Sequence, residues 1–171
     1  MFTQELARHC QAIGVRFKFE TQVQSLIRDK ERIVAVNTDQ GALTGDSYLV
    51  AMGSFSQQIV RPLGLYLPIY PVKGYSITMP VLDAGRAPES TIMDETHKVA
   101  ITRLGDRIRV GGTAELCGHN MSLSPSRLRN VMHVVSDLFG GGADLDQAEP
   151  WAGLRPMTPD GTPIVGGTSF E

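Results

Sequence analysis

The residues most capable of chemistry fall in three stretches. In the segment from Trp151 to Gly166, Arg155 stands directly before Pro156, and Thr158, Pro159, Asp160 and Gly161 follow in the order of a type I turn. A residue before proline is biased toward extended backbone, so a stiff segment aims Arg155. A guanidinium mounted that way suits bidentate capture of a carboxylate. The same residues also describe a solvated arginine near an ordinary turn. The stretch from Tyr70 to Tyr75 places Pro71, Lys73 and Gly74 at the entry to an alternating run. Lys73 reads as a charge at a strand end, and Tyr75 as a core aromatic whose hydroxyl reaches solvent. From Leu49 to Ser56, an apolar run enters Gly53 and then polar residues. A buried strand, a glycine and a helix start bring backbone N–H groups toward a phosphate, and they equally make a tight turn. His97, next to Lys98 where a strand begins, is a loop histidine or a proton acceptor facing a pocket. Glu115 reads as a solvated turn residue.

The elements that must position these residues are short. Leu6, Cys10 and Ile13 recur at helical spacing, with Thr3 as cap and Gly14 as stop, which predicts a first helix. Strands are expected at Val15 to Phe19, where apolar residues alternate with Arg16 and Lys18, at Val23 to Ile27 and at Ile33 to Asn37. Asp39 to Gly41 forms a turn, and Tyr48 to Ala51 reads as a buried strand. Beyond Pro71, the alternating runs Tyr75 to Met79, His97 to Thr102 and Ile108 to Val110 predict an antiparallel sheet. Leu104 to Arg107 supplies a hairpin signal. Ser124 and Pro125 open a second helix, whose apolar face is Leu128, Val131, Val134, Val135 and Leu138, and Gly140 to Gly142 end it. The remainder, from Glu149, reads as extended pieces broken by proline and glycine. The fold class is α+β with a largely antiparallel sheet.

Composition sets outer bounds. The chain has 171 residues, 42% hydrophobic and 20% charged, with 16 Lys and Arg against 18 Asp and Glu. A net charge of -2 lacks the basic surplus expected of a nucleic-acid partner. No apolar run approaches the ~20 residues needed to cross a bilayer, and the opening residues do not form a secretory signal. The two cysteines, Cys10 and Cys117, have no metal-ligand or disulfide spacing, which fits a reducing, cytoplasmic setting.

Several segments in order carry a resemblance: Phe2 to Gln4, Thr21 to Val23, Ala51 to Gly53, Tyr70 to Tyr75, Val99 to Glu115 and Gly153 to Gly161. Together they resemble the D-amino acid oxidase superfamily of FAD-dependent flavoproteins, and within it the bacterial dehydrogenases acting on D-amino acids. The resemblance implies an antiparallel substrate domain of the D-amino acid oxidase type, packed with part of an FAD-binding α/β domain. Its implied boundaries are 1–70 and 149–171 for the FAD side and 71–148 for the substrate side. It implies FAD contacts at Val23, Ala51 and Gly53. It makes Arg155 the partner of the substrate carboxylate, with Tyr75 assisting. The implied reaction is hydride transfer from a D-amino acid to flavin, giving a keto acid and ammonia. Electrons would pass to an acceptor of the respiratory chain, at a peripheral position on the inner membrane face.

The glycine-rich strand–turn–helix that binds FAD pyrophosphate in this superfamily has no match in the sequence. The chain therefore reads as an internal piece, with weak or no FAD binding and no turnover by itself. Two other readings share the residues. One is a glycine- or sarcosine-type oxidase of the same superfamily. The other is a non-catalytic binding or assembly module that could form a homodimer.

Overall fold

The computed structural model describes residues 2–170, which divide into two compact units. The first comprises residues up to 51, 58–66 and from 165 on; the second comprises 52–57 and 67–164.

In the first unit, helix α1 (Phe2–Ala12) ends as its sequence predicts, with Gly14 in the left-handed region at φ +98. It begins at Phe2, so Thr3 lies inside the helix instead of capping it. Strands β1 (Val23–Asp29), β2 (Arg32–Thr38) and β3 (Gly41–Leu43) form an antiparallel sheet in the order β1-β2-β3. The turn expected at Asp39 to Gly41 is present, with the Thr38 hydroxyl donating to the Gly41 carbonyl at 2.6 Å.

Two expected strands are absent. Val15 to Phe19 joins no strand among the described residues, and its aromatic rings stack on each other at 5.7 Å. Tyr48 to Ala51 is likewise irregular, with Leu49 92% exposed. Alternating or apolar residues make a strand only where a neighbouring strand takes up their backbone N–H and C=O groups.

The second unit is built on a five-stranded sheet in the order β5-β6-β7-β4-β8. Its strands are β4 (Tyr70–Pro80), β5 (Ile92–Asp94), β6 (Val99–Leu104), β7 (Arg107–Glu115) and β8 (Glu149–Met157), and every pairing is antiparallel. The predicted hairpin closes between Leu104 and Arg107, with Gly105 at φ +67. β8, read from sequence only as broken extended pieces, pairs with β4 from Tyr70 to Thr78. Pro150 and Pro156 are tolerated because β8 is an edge strand, where a missing N–H donor breaks no central ladder.

One face of this sheet carries helix α3 (Pro125–Phe139). Ser124 stands at the expected cap position with Pro125 behind it, although its side chain makes no capping bond. Ile77 and Met79 of β4, Val99 and Ile101 of β6, and Ile108 and Val110 of β7 form the core with Val131, Val134 and Val135. Leu138, placed by sequence on the same helix face, is exposed. Register explains the core: Ile77, Val110 and Ile101 stand side by side across three strands, so their side chains leave the same face.

Replacing Ile101 by Ala should cost about 2–5 kcal/mol, since the site is fully enclosed. Val34→Ala, at an exposed position of β2, should stay within about 0.5 kcal/mol of zero. Urea denaturation monitored by circular dichroism measures both, and a near-neutral Ile101→Ala would contradict this core.

Candidate functional site

The face of the sheet opposite α3 is open, and the register identifies its residues. Ala100, Gly111, Ser76 and Trp151 stand side by side across β6, β7, β4 and β8. Thr102, Arg109, Thr78 and Glu149 make the next row. Gly74 pairs with Gly153, and Val72 with Arg155. All of these but Thr102, Thr78 and Glu149 line a cleft of about 850 Å3, with Met93, His97 and Lys98 also in its wall.

Glycines keep the floor of this cleft bare. A Cβ atom at Gly74 or Gly111 would meet no heavy atom closer than 3.9 Å, so packing does not force glycine at either position. Their missing side chains leave room over the sheet for a flat group or a small substrate. Gly153 is different: a Cβ there would lie 2.2 Å from the Trp151 ring, because the indole folds across it. Arg109 stacks over that indole at 5.5 Å and donates to the Ser76 hydroxyl at 3.1 Å.

Arg155 is exposed and lines the cleft, and its guanidinium has no hydrogen bond or ion pair among the described residues. The turn predicted behind it forms, with the Gly161 N–H donating to the Thr158 carbonyl at 3.2 Å and Gly161 at φ +78. Backbone N–H donation, first from Thr162, holds the Asp160 carboxyl below its ordinary pKa. The cleft therefore presents a free guanidinium on a stiff strand end.

Tyr75 does not join it. Tyr75 pairs with Ala152 while Arg155 pairs with Val72, so the pleat sends the two side chains to opposite faces. Tyr75 is buried, donates its hydroxyl to Glu115 at 2.5 Å and accepts the Ser124 N–H at 3.4 Å. Lys73 is on the same side and is only 1% exposed, not a surface charge as its sequence position suggests. Its ammonium sits 3.0 Å from the Glu115 carboxylate and donates to the Ser122 carbonyl at 2.8 Å.

Glu115 was legible in sequence only as a solvated turn residue; a β-bulge gives it this role. Between Gly111 and Glu115 the β7 strand carries one residue more than β4, with Thr113 at φ +60. The extra residue shifts the alternation and brings Glu115 opposite Lys73. Gly112 belongs to the same device: a Cβ there would press to 2.9 Å from the Val99 side chain. Burial disfavours the Lys73 charge, but hydrogen bonds with Glu115, Tyr75 and Cys117 outweigh it and hold its pKa above the ordinary lysine value. The Tyr75 hydroxyl, and then Lys73, hold the Glu115 carboxyl below its ordinary value.

The other expected residues are placed as follows. Gly53 (φ +55) opens a 3-10 turn, Gly53–Phe55, in the second unit, and its Cα side faces Pro156. Helix α2 (Ser56–Val60) follows and has only five residues, too few aligned peptides to form an anion site by itself. Ala51 is exposed, and Val23 heads β1 opposite Thr38; both lie in the first unit. His97 lines the cleft, and Asp94 holds it.

Known proteins resemble this chain in sequence and fold. The family model described as DAO, FAD dependent oxidoreductase, matches residues 1–170. The chain is 55% identical over 170 residues to the D-amino acid dehydrogenase of Bradyrhizobium diazoefficiens, covering 99% of this chain and 40% of that protein. It is 57% identical over 169 residues to the D-amino acid dehydrogenase of Methylobacterium radiotolerans, covering 98% and 40%. The chain thus spans about 40% of the length of these relatives. Among solved structures, glycine oxidase from Bacillus cereus superimposes with a TM-score of 0.79 at 23% identity, covering 96% of this chain and 44% of that one. L-Proline dehydrogenase from P. horikoshii gives 0.80 at 19%, covering 97% and 46%. At such identities the likeness shows the shared fold.

Glu115→Gln should lower the denaturation midpoint near neutral pH, because it leaves the buried Lys73 ammonium without its carboxylate. Glu115 has a depressed folded pKa, so its contribution is present above its unfolded value, about 4.3, and fades as pH falls through the folded value. Lys73 has a raised folded pKa, so its contribution persists below about 10.4 and is lost at more alkaline pH. The gap between wild type and variant should therefore narrow in acid. Denaturation curves across pH test this, and a gap constant from neutral to strongly acidic pH would refute it.

Proposed function

This chain belongs to the DAO family of FAD dependent oxidoreductases, and from that premise we propose that it forms the substrate-side part of an enzyme that oxidatively deaminates D-amino acids. The observation that carries the reading is Arg155, an unpaired guanidinium at the edge of a glycine-floored cleft. Dehydrogenases acting on D-amino acids are the relatives with which the chain shares more than half of its residues.

The bare patch at Gly74 and Gly111 leaves space for a planar ring above the sheet, so the residues present fit a flavin-dependent site. FAD, when bound, supplies the acceptor for the α-hydrogen as hydride. Arg155 takes the substrate carboxylate through two parallel N–H···O bonds and fixes the orientation of Cα. Trp151, folded over Gly153, gives the cleft an apolar wall. The imino acid product hydrolyses to a keto acid and ammonia. Val23, Ala51 and Gly53 are our proposed contacts to FAD on the cofactor side. The pairing of Glu149–Met157 to β4 supports extending the substrate side, read from sequence as 71–148, through β8. In a full-length protein like the relatives, electrons would pass to a respiratory-chain acceptor from a peripheral position on the inner membrane face. No helix among the described residues is long and apolar enough to cross a membrane.

Anaerobic addition of D-alanine to the complete FAD-loaded protein should bleach the oxidised flavin spectrum. Arg155→Met should lower kcat/KM roughly 10²-fold, the worth of charge-assisted hydrogen bonds, mainly through KM. An Arg155→Met enzyme with wild-type KM would refute this carboxylate site.

A further inference from the structure

The cleft holds a second guanidinium that capture of a carboxylate at Arg155 does not use. Arg109 is exposed and stands opposite Thr78 on β4, two residues further from Arg155 than Ser76 is. Its side chain bends back toward Arg155. Nη2 donates to the Ser76 hydroxyl at 3.1 Å, and the guanidinium lies 5.5 Å from the centre of the Trp151 ring. That ring in turn folds over Gly153, 2.2 Å from where a Cβ would stand. Gly153 and Arg155 share the cleft face of β8 two residues apart, about 7 Å along the strand. The indole thus spans from the Arg109 guanidinium to a position one pleat from Arg155, beside the bare floor at Gly74 and Gly111.

The electrostatics single out the same pair. Ser76 and the indole are neutral, so they hold Arg109 in place without cancelling its charge, and Ser76 engages one of its five N–H donors. The neighbouring cations do have carboxylates: Lys98 pairs with Glu95, Arg107 with Glu149, and Lys73 with Glu115 on the other side of the sheet. Among the described residues that line the cleft there is no aspartate or glutamate. Two guanidinium groups without an ion pair therefore flank one apolar wall.

Resting on the reading that Arg155 holds the α-carboxylate of an amino acid, we propose that Arg109 determines side-chain specificity and that the substrate class it selects is dicarboxylic D-amino acids such as D-glutamate. The substrate's methylene groups lie along the indole of Trp151, and its distal carboxylate takes the N–H donors of Arg109 that Ser76 leaves unused. An aliphatic side chain gains the indole contact alone. A cationic side chain meets like charge at the same place and is disfavoured.

Two measurements on the complete FAD-loaded protein test the proposal. The first is the ratio of kcat/KM for D-glutamate to that for D-norvaline, which has a methyl group where glutamate has its distal carboxylate. Arg109→Met should lower this ratio roughly 10-fold or more, the worth of a charge-assisted hydrogen bond, and Arg109→Lys should restore part of it. Using the ratio cancels any general loss from a displaced Trp151. The second measurement needs no turnover: glutarate and pentanoate are titrated in and followed by the perturbation of the oxidised flavin spectrum. Wild type should bind glutarate the more tightly, and Arg109→Met should remove that advantage. A ratio that Arg109→Met leaves unmoved, or a wild type that binds pentanoate as tightly as glutarate, would overturn the proposal. Flavin that no D-amino acid reduces would instead overturn the assigned reaction, while the comparison of glutarate with pentanoate would still report on Arg109.

Discussion

Everything in the second unit depends on the alternation of side chains along β4. Lys73, Tyr75, Ile77 and Met79 point toward α3, and Val72, Gly74 and Ser76 face the cleft, with Thr78 beyond them on the same face. β4 lies between β7 and β8, so its pleat sets the register of both neighbours. One strand thereby separates two environments. The α3 side is a packed aliphatic core that ends in a buried polar cluster. The other side is nearly bare, because glycine recurs where bulky residues would fill it. A one-residue slip of β4 would exchange the two sets and put Lys73 in the cleft and Gly74 in the core.

The cationic groups divide along the same line. Lys73 is buried and fully engaged by Glu115, Tyr75 and the Ser122 carbonyl, so it serves the structure. Its tie to Ser122, with the bond from Ser124 to Tyr75, fastens the connection between β7 and α3 to the end of β4. Arg107 is paired with Glu149. Among the described residues Arg155 has no such partner, and the stiff segment that carries it serves no internal contact of the guanidinium. A free charge beside a floor cleared of side chains marks a binding site; a neutralised, enclosed charge marks a clamp. The bulge at Thr113 draws this distinction by bringing Glu115 to Lys73 and away from the cleft.

Much of this was legible in the sequence, for local reasons. The hairpin at Gly105, the helix opened by Ser124 and Pro125, and the turn ending at Gly161 each follow from residues adjacent in the chain. What could not be read depends on partners distant in sequence. Val15 to Phe19 has a strand's pattern and no strand beside it. β8 has a partner strand, and its prolines hide it. Tyr75 was correctly an aromatic in the antiparallel sheet, but alternation alone does not say which face meets Arg155; only the β4–β8 register does. Glu115 required the bulge, whose sole local trace is the pair of glycines at 111 and 112 preceding Thr113. The carboxylate of Asp94, three residues before His97, is a signal that sequence reading could have used, since that spacing across a tight turn brings the two side chains together.

The central claim is that the open face of the sheet, with Arg155 at its edge, is where the substrate carboxylate binds. A crystal structure of the complete FAD-loaded protein with a non-oxidisable amino acid tests it most directly. The account predicts the ligand carboxylate in bidentate contact with the Arg155 guanidinium, over the bare strand at Gly74. A carboxylate bound elsewhere, with Arg155 left in solvent, would contradict it.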